Sequence, residues 1–224
     1  MRNLNKKYLE IKQGETMLKL SVENGVWNPT PHGIHLGNSI SSFDFTNKTI
    51  LELGCGCGNH TILLAKQQPA RLLVTEINSK ILESTKENLK LNNIKTSVEY
   101  LVADWTHINQ PKFDVLITNP PFSQSGKTYY RYFIDTLINE AHKLIKKGGV
   151  LIFVQSSMAD FKKSVELMEN WGMKVRIVSK TEGPFRDYYY EDEAFMKYID
   201  TVGDGYKIIN GKKYEELIVF EATI

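Results

Sequence analysis

Thr49-Ile50-Leu51-Glu52-Leu53-Gly54-Cys55-Gly56-Cys57-Gly58 is the stretch whose reading decides the architecture. A short apolar run enters glycines spaced one residue apart. The segment after it carries Ile62, Leu63, Leu64 and Ala65 and reads as a helix over residues 59–68, ending before Pro69. Strand, glycine loop and helix form a nucleotide-binding opening, because glycines let the backbone approach a ligand and the helix start presents N–H groups. The spacing is G-x-G-x-G, whereas a dinucleotide fingerprint is G-x-G-x-x-G. Glu52 stands two residues ahead of the first glycine.

Reading outward, Leu72-Leu73-Val74-Thr75-Glu76 is a second strand ending in an acid. Glu76 lies about twenty residues past the loop, where a carboxylate accepts from both hydroxyls of a ribose; the plain alternative is a solvated acid at a strand end. A helix over 79–91 leads to a strand over 97–103, closed by Asp104-Trp105. That acid suits an adenine amine and that indole suits the base, although a helix cap and a rim aromatic would look the same. Phe113-Asp114-Val115-Leu116-Ile117-Thr118 reads as a buried strand running into Asn119-Pro120-Pro121-Phe122. Asn119 offers a side-chain carbonyl. The prolines have fixed φ and no N–H, so they stiffen the turn and leave backbone carbonyls free. With the Phe122 ring, these parts suit a planar –NH2 group, though a bare N-P-P-F could be an ordinary proline turn.

A helix over 128–146 should stop at Lys146-Lys147-Gly148-Gly149, followed by a strand over 150–154, a helix over 161–171, a strand over 173–179 and a last strand over 215–222. Such alternation predicts an α/β fold with a doubly wound, mostly parallel sheet. Upstream, residues 8–27 read as a β-hairpin or short extended pieces. The rigid turn Trp27-Asn28-Pro29-Thr30-Pro31-His32-Gly33 then precedes a helix over 34–43. We expect two parts: 1–45, a hairpin and helix covering the site, and 46–224, the domain that carries it. The aromatic and acidic segment 184–210 reads as an insertion without an assignable role.

The chain has 224 residues and a net charge of +2, a balance that does not suggest a grip on long nucleic acid through its phosphates. The start lacks a signal-peptide pattern, and no apolar run reaches membrane-spanning length. Two cysteines, Cys55 and Cys57, make no disulfide framework, so the expected compartment is a reducing cytoplasm. Cys55, Cys57 and His60 suggest a metal cluster, but the thiols fall inside the glycine loop and a fourth ligand is missing, so no metal is expected. Ser125-Gly126-Lys127-Thr128 ends like a phosphate-binding loop, yet Pro121 occupies the position where that motif needs glycine. His32 and His35 read as helix-start and packing residues.

Glu52–Gly58, Glu76, Asp104 and Asn119–Phe122, in this order and each at a strand end, resemble the class I S-adenosylmethionine-dependent methyltransferases that modify amino groups. Within them, 132–149, Val154-Gln155-Ser156-Ser157, Gly183-Pro184-Phe185 and Glu215-Glu216-Leu217-Ile218-Val219 are similar to the short release-factor glutamine N5-methyltransferases of the eukaryotic and archaeal type. The resemblance implies a Rossmann-like sheet of seven strands behind an N-terminal hairpin, with S-adenosyl-L-methionine held by Glu52, Gly54, Cys55, Gly56, Gly58, Glu76, Ile77, Asp104, Trp105 and Asn119. It implies an acceptor site of Asn119, Pro120, Pro121 and Phe122, and as acceptor a protein glutamine, with a translation factor as one candidate. An adenine amine of RNA or DNA ranks lower for want of a basic cleft or spare length, and a small molecule stays open, as does an activating subunit. Two positions depart from that family: its tetrad usually closes with tyrosine where this chain has Phe122, and its upstream turn carries an acid and a threonine where this chain has His32-Gly33.

Overall fold

A computed structural model describes residues 6–122 and 130–224. The chain opens with a hairpin of β1 (Lys6–Gln13) and β2 (Thr16–Glu23), closed by a two-residue turn in which Gly14 takes φ +57°. Leu9 and Ile11 on β1 face Leu20 and Leu18 on β2, so the alternation read from the sequence sets one apolar face inward. Helix α1 (Pro31–Ile40) follows. Then come β3 (Thr49–Leu53), α2 (Asn59–Lys66), β4 (Arg71–Glu76), α3 (Ser79–Leu91), β5 (Glu99–Val102) and β6 (Phe113–Thr118). Helix α4 (Tyr132–Leu144), β7 (Ile145–Ser156), α5 (Phe161–Asn170), β8 (Lys174–Pro184), α6 (Glu193–Ile199), β9 (Lys207–Ile209) and β10 (Lys212–Thr223) complete the described chain.

The main sheet runs β5-β4-β3-β6-β7-β10-β8, with β3 through β7 parallel and β10 antiparallel to both neighbours. The short β9 adds to β10 beside this path. Successive residues of one strand serve opposite layers. Ile50, Val115, Ile117, Ile152 and Val154 pack toward the hairpin, α1 and α2, whereas Leu51, Leu53, Leu116, Leu151 and Phe153 pack toward α4 and α5. Both faces of the sheet are therefore covered, as parallel strands require. The order reverses between β3 and β6, and at such a switch point the carboxyl ends of the strands open a crevice. Among the described residues no helix is long and apolar enough to cross a membrane.

Three expectations need correction. Helix α1 begins earlier than expected, at Pro31, because Thr30 caps it: its Oγ1 accepts from Gly33 N at 3.2 Å, and proline fits the first helical position. At the other end of the fold, α4 stops at Leu144, and Ile145 and Lys146 already belong to β7, where Ile145 pairs with Phe113 and Lys146 Nζ reaches Asp114 Oδ1 at 2.9 Å. The double glycine expected to end a helix is instead an irregularity inside β7: Gly148 has φ +78°, and a Cβ on Gly149 would lie 2.7 Å from Asp114 O. The expected start of α4 at 128 and the phosphate-loop look-alike at 125–128 lie outside the described residues. Insertion 184–210 contributes α6 and β9. Its residues Phe185, Tyr189, Phe195 and Ile199 form a separate apolar cluster with Met158.

The outer edge of β2 is closed by two asparagines one turn apart, Asn88 on α3 and Asn92 at its C-cap. Asn88 Oδ1 accepts from Ser21 N at 2.7 Å and its Nδ2 donates to Ser21 O at 3.0 Å, while Asn92 makes the same pair with Lys19 at 3.0 and 2.7 Å. Each side-chain amide thus acts as a rung of a missing strand. Asn88 also donates to Cys57 O at 2.9 Å, tying the hairpin to the glycine loop. Because Asn88 is fully buried, Asn88→Ala should cost about 2–3 kcal/mol, and Asn92→Ala, at the rim, under about 1 kcal/mol. Equal losses in denaturant titrations would contradict this reading.

Candidate active site

The glycine loop follows β3 with Gly54, Gly56 and Gly58 all at positive φ, from +54° to +82°. A Cβ on Gly58 would stand 2.8 Å from the Thr85 side chain, whereas Gly54 and Gly56 face open space. The loop is pinned from beneath: Cys55 N donates to Thr75 O, and Thr85 Oγ1 to Gly56 O. Gly58 takes the N-cap position of α2 and brings no capping side chain, so its carbonyl accepts from Ile62 N but no side chain from that residue meets the first N–H groups of the helix. Cys55 and Cys57 are buried thiols whose pKa values burial pushes up, with Cys57 at about 11. Among the described residues no group of three metal-ligand side chains converges.

Glu52 is only 1% exposed. Its Oε2 accepts from Thr61 Oγ1 at 2.6 Å, while its Oε1 is buried with no hydrogen-bond partner and stands 3.8 Å from His60 Nδ1. Burial pushes the Glu52 carboxyl up to about 8, against the Thr61 hydrogen bond, and the charge of Glu76 raises it further. His60 is driven the other way, to about 4, by its own burial. Its Nε2 lies 2.6 Å from Gly33 O. A carbonyl can only accept, so the ring proton sits on Nε2 and Nδ1 turns a lone pair toward Glu52. Gly33 O also receives Gln13 Nε2 at 3.2 Å, and Gln13 Oε1 accepts from Asn59 Nδ2 at 3.3 Å.

Glu76 closes β4 beside the loop, accepting from Gly56 N at 3.2 Å and from Ile77 N at 2.9 Å; Ile77 is 68% exposed. One strand further out, Asp104 is exposed and lies 3.8 Å from His107 Nδ1, and Trp105 packs on Phe133 of α4 with ring centroids 5.7 Å apart. On the other side of β3, the tetrad leaves β6. Pro120 is buried and Pro121 exposed. Asn119 is half-buried, with Nδ2 at 3.5 Å from where a Cβ on Gly33 would be, so the first turn of α1 forms its wall. Phe122 meets Phe195 of α6 edge-on at 5.7 Å and bridges the sheet core and the insertion cluster.

The crevice thus gathers Glu52, Gly54–Gly58, Glu76, Ile77 and Asn119–Phe122 on one edge, with Asp104 and Trp105 at its far end. Gln13, His60, His32 and Glu215 also reach this edge, and the sequence reading gave none of them a place in the site. One signal was present: Gln13 falls in phase with Leu9 and Ile11 on the inward face of β1, an apolar phase in which a glutamine must find buried partners.

The Glu52 carboxyl titrates higher in the folded chain than its ordinary 4.5, so its contribution to stability is fully present below that pH and is lost as pH rises through about 8. Glu52→Gln cannot ionise. It should lie close to the wild type near pH 5 and exceed it by about 3–5 kcal/mol near pH 9, as read from thermal melts without added ligand. Parallel pH–stability curves would contradict this.

Residues 37–185 match the family model of the methyltransferase small domain. A Methanocaldococcus jannaschii protein provisionally named a protein N5-glutamine methyltransferase is 30% identical over 185 residues, covering 76% of this chain and 92% of that protein. The ribosomal RNA small subunit methyltransferase C of Haemophilus influenzae is 30% identical over 140 residues, covering 62% of this chain but 40% of that enzyme. Among solved structures, the 16S rRNA N2 methyltransferase of T. thermophilus, in complex with AdoMet and guanosine, shares the fold with a TM-score of 0.67 at 17% identity, over 98% of this chain and 51% of that one. The chain belongs to the methyltransferase small domain family and is a methyltransferase with S-adenosyl-L-methionine as its methyl donor.

Proposed function

We propose that this enzyme methylates the side-chain amide nitrogen of a glutamine in a protein. One observation carries the reading: a rigid Asn119-Pro120-Pro121-Phe122 turn lies beside the glycine loop, walled by α1 and backed by the insertion. The relative named as a glutamine methyltransferase supports it, because the match extends over 92% of that protein's length. The second reading, an amine of an RNA base, draws on the ribosomal RNA relative.

The site fits the cofactor at its cationic and sugar ends. Glu52 Oε1 is a buried acceptor in want of a donor, suited to the methionyl ammonium. Gly54 and Gly56, open on their outer side, allow close backbone approach, with Cys55 and Gly58 completing the turn. The Glu76 carboxylate keeps lone pairs that would accept from both ribose hydroxyls, the exposed Ile77 side chain would pack on the adenine, and Asp104 and Trp105 would receive its amine and ring. S-adenosyl-L-methionine supplies a methyl on a sulfonium, an electrophile that needs in-line alignment more than a strong base.

Asn119 turns Nδ2 toward Gly33, so Oδ1 is the atom left to accept. Asn119 Oδ1 and the Pro120 carbonyl take the two N–H bonds of the acceptor amide, aim its nitrogen at the methyl and stabilise the positive charge it gains. With S-adenosyl-L-methionine bound, its methyl would pass to that nitrogen, S-adenosylhomocysteine would leave, and the nitrogen, held by Asn119 and Pro120, would release one proton to solvent. Pro121 stiffens the turn, and the Phe122 ring covers the amide plane.

Asn119→Ala should lower kcat at least about 100-fold, with affinity for S-adenosylhomocysteine within about threefold of wild type. Near-normal turnover would sink the role of the tetrad. With labelled S-adenosylmethionine and a cell lysate, the labelled material should be destroyed by protease; destruction by ribonuclease instead would favour the RNA reading.

A further inference from the structure

His32, in the first turn of α1, sits in a largely buried environment between Glu215 and Arg186. Its side chain is 13% exposed and that of Glu215, near the start of β10, is 3% exposed. His32 Nε2 stands 3.3 Å from Glu215 Oε2, within ion-pair range though out of line for a hydrogen bond. On the other side, the Arg186 guanidinium bonds His32 Nδ1. Arg186 also donates to Tyr188 Oη at 2.8 Å, and its Nε is buried without a partner.

The order of these groups fixes the imidazole. A guanidinium has only donors, so Nδ1 must accept and the ring proton must sit on Nε2, facing the carboxylate. Burial would raise the Glu215 carboxyl, but His32, the Ser156 hydroxyl and Arg186 together hold it below the usual carboxylate range. Glu215 is therefore an anion, and His32 bridges it to the Arg186 guanidinium. Three segments meet in that bridge: the first turn of α1, the start of β10, and the insertion. The next residue along α1 is Gly33, which walls Asn119.

We propose that His32 is a positioning residue of the methyl-transfer site: by bridging Arg186 and Glu215 it holds the first turn of α1 against Asn119 and so sets the direction of the Asn119 amide. This rests on Asn119 being the acceptor-binding residue.

The bridge needs an acceptor toward Arg186 and a donor toward Glu215, which a glutamine side chain offers and a leucine does not. His32→Leu should lower kcat about 10- to 100-fold, the cost of a misplaced reacting group, with the S-adenosylhomocysteine dissociation constant unchanged; His32→Gln should recover most of that loss. A second readout needs no acceptor: the Asn119 side-chain amide pair in a 15N spectrum, identified by its absence from Asn119→Ala. That pair should move in His32→Leu and return toward its wild-type position in His32→Gln. If His32→Leu does not fold, Arg186→Met breaks the same bridge from its more exposed end and should shift the same pair. An Asn119 pair that stays in place in these variants overturns the proposal even if the acceptor proves not to be glutamine. Losses that are equal in the leucine and glutamine variants and follow only the fraction of folded protein overturn it as well.

Discussion

The carbonyl oxygen of Gly33 is the point on which the rest of the site depends. It accepts from His60 Nε2 at 2.6 Å and from Gln13 Nε2 at 3.2 Å, so α2, the hairpin and α1 meet at one atom. Both donors are buried, and each would be stranded at a cost of about 1–3 kcal/mol if α1 moved away. Rigidity follows without any large apolar contact at that point. A Cβ on Gly33 would meet Asn119 and His60 at ordinary contact distances of 3.5 and 3.7 Å, so α1 packs close to both. Gly37, one turn later, leaves room for Gln13, whose Nε2 would lie 2.5 Å from a Cβ there. Gly37 thus lets α1 sit against the end of β1.

The same network explains the electrostatics. Glu52 and His60 lie side by side out of water, and burial drives both toward their neutral forms, the acid upward to about 8 and the imidazole downward to about 4. A buried ion pair between them would have to offset the desolvation of two charges. The fold avoids that cost and keeps Glu52 Oε1 as an acceptor still in want of a donor. A cationic ligand group meeting that atom would favour the ionised carboxylate, so in the proposed site binding of the methionyl ammonium would be linked to loss of a proton at Glu52. On the acceptor side the chain relies on packing. Phe122 is fixed edge-on by Phe195, which in turn meets Tyr130 at 5.1 Å and Tyr189 at 5.4 Å. The insertion, for which the sequence suggested no role, buttresses that ring.

Much of the fold was legible because local pattern decided it. The apolar run into G-x-G-x-G, acids at strand ends and the proline tetrad each lie within about ten residues, and the alternation of strand and helix supplied the doubly wound sheet. Boundaries were misread where tertiary pairing outweighed local signals: Lys146 extends β7 because Asp114 holds it, and Gly148 bends a strand where a helix end was expected. The partners of the cover were not legible at all. Gly33 and His60 are 27 residues apart, and His32 and Arg186 are 154 apart. A histidine after a proline turn looks like a packing residue until the fold brings a guanidinium and a carboxylate to its two nitrogens.

Identifying the methylated atom tests the account most directly. A lysate is incubated with the enzyme and S-adenosylmethionine carrying a trideuterated methyl group, and the products are read by peptide and nucleoside mass spectrometry. The account predicts the heavy methyl on the side-chain nitrogen of a glutamine in a protein. Heavy methyl confined to RNA bases, or on a carbon or oxygen atom of any acceptor, would contradict it.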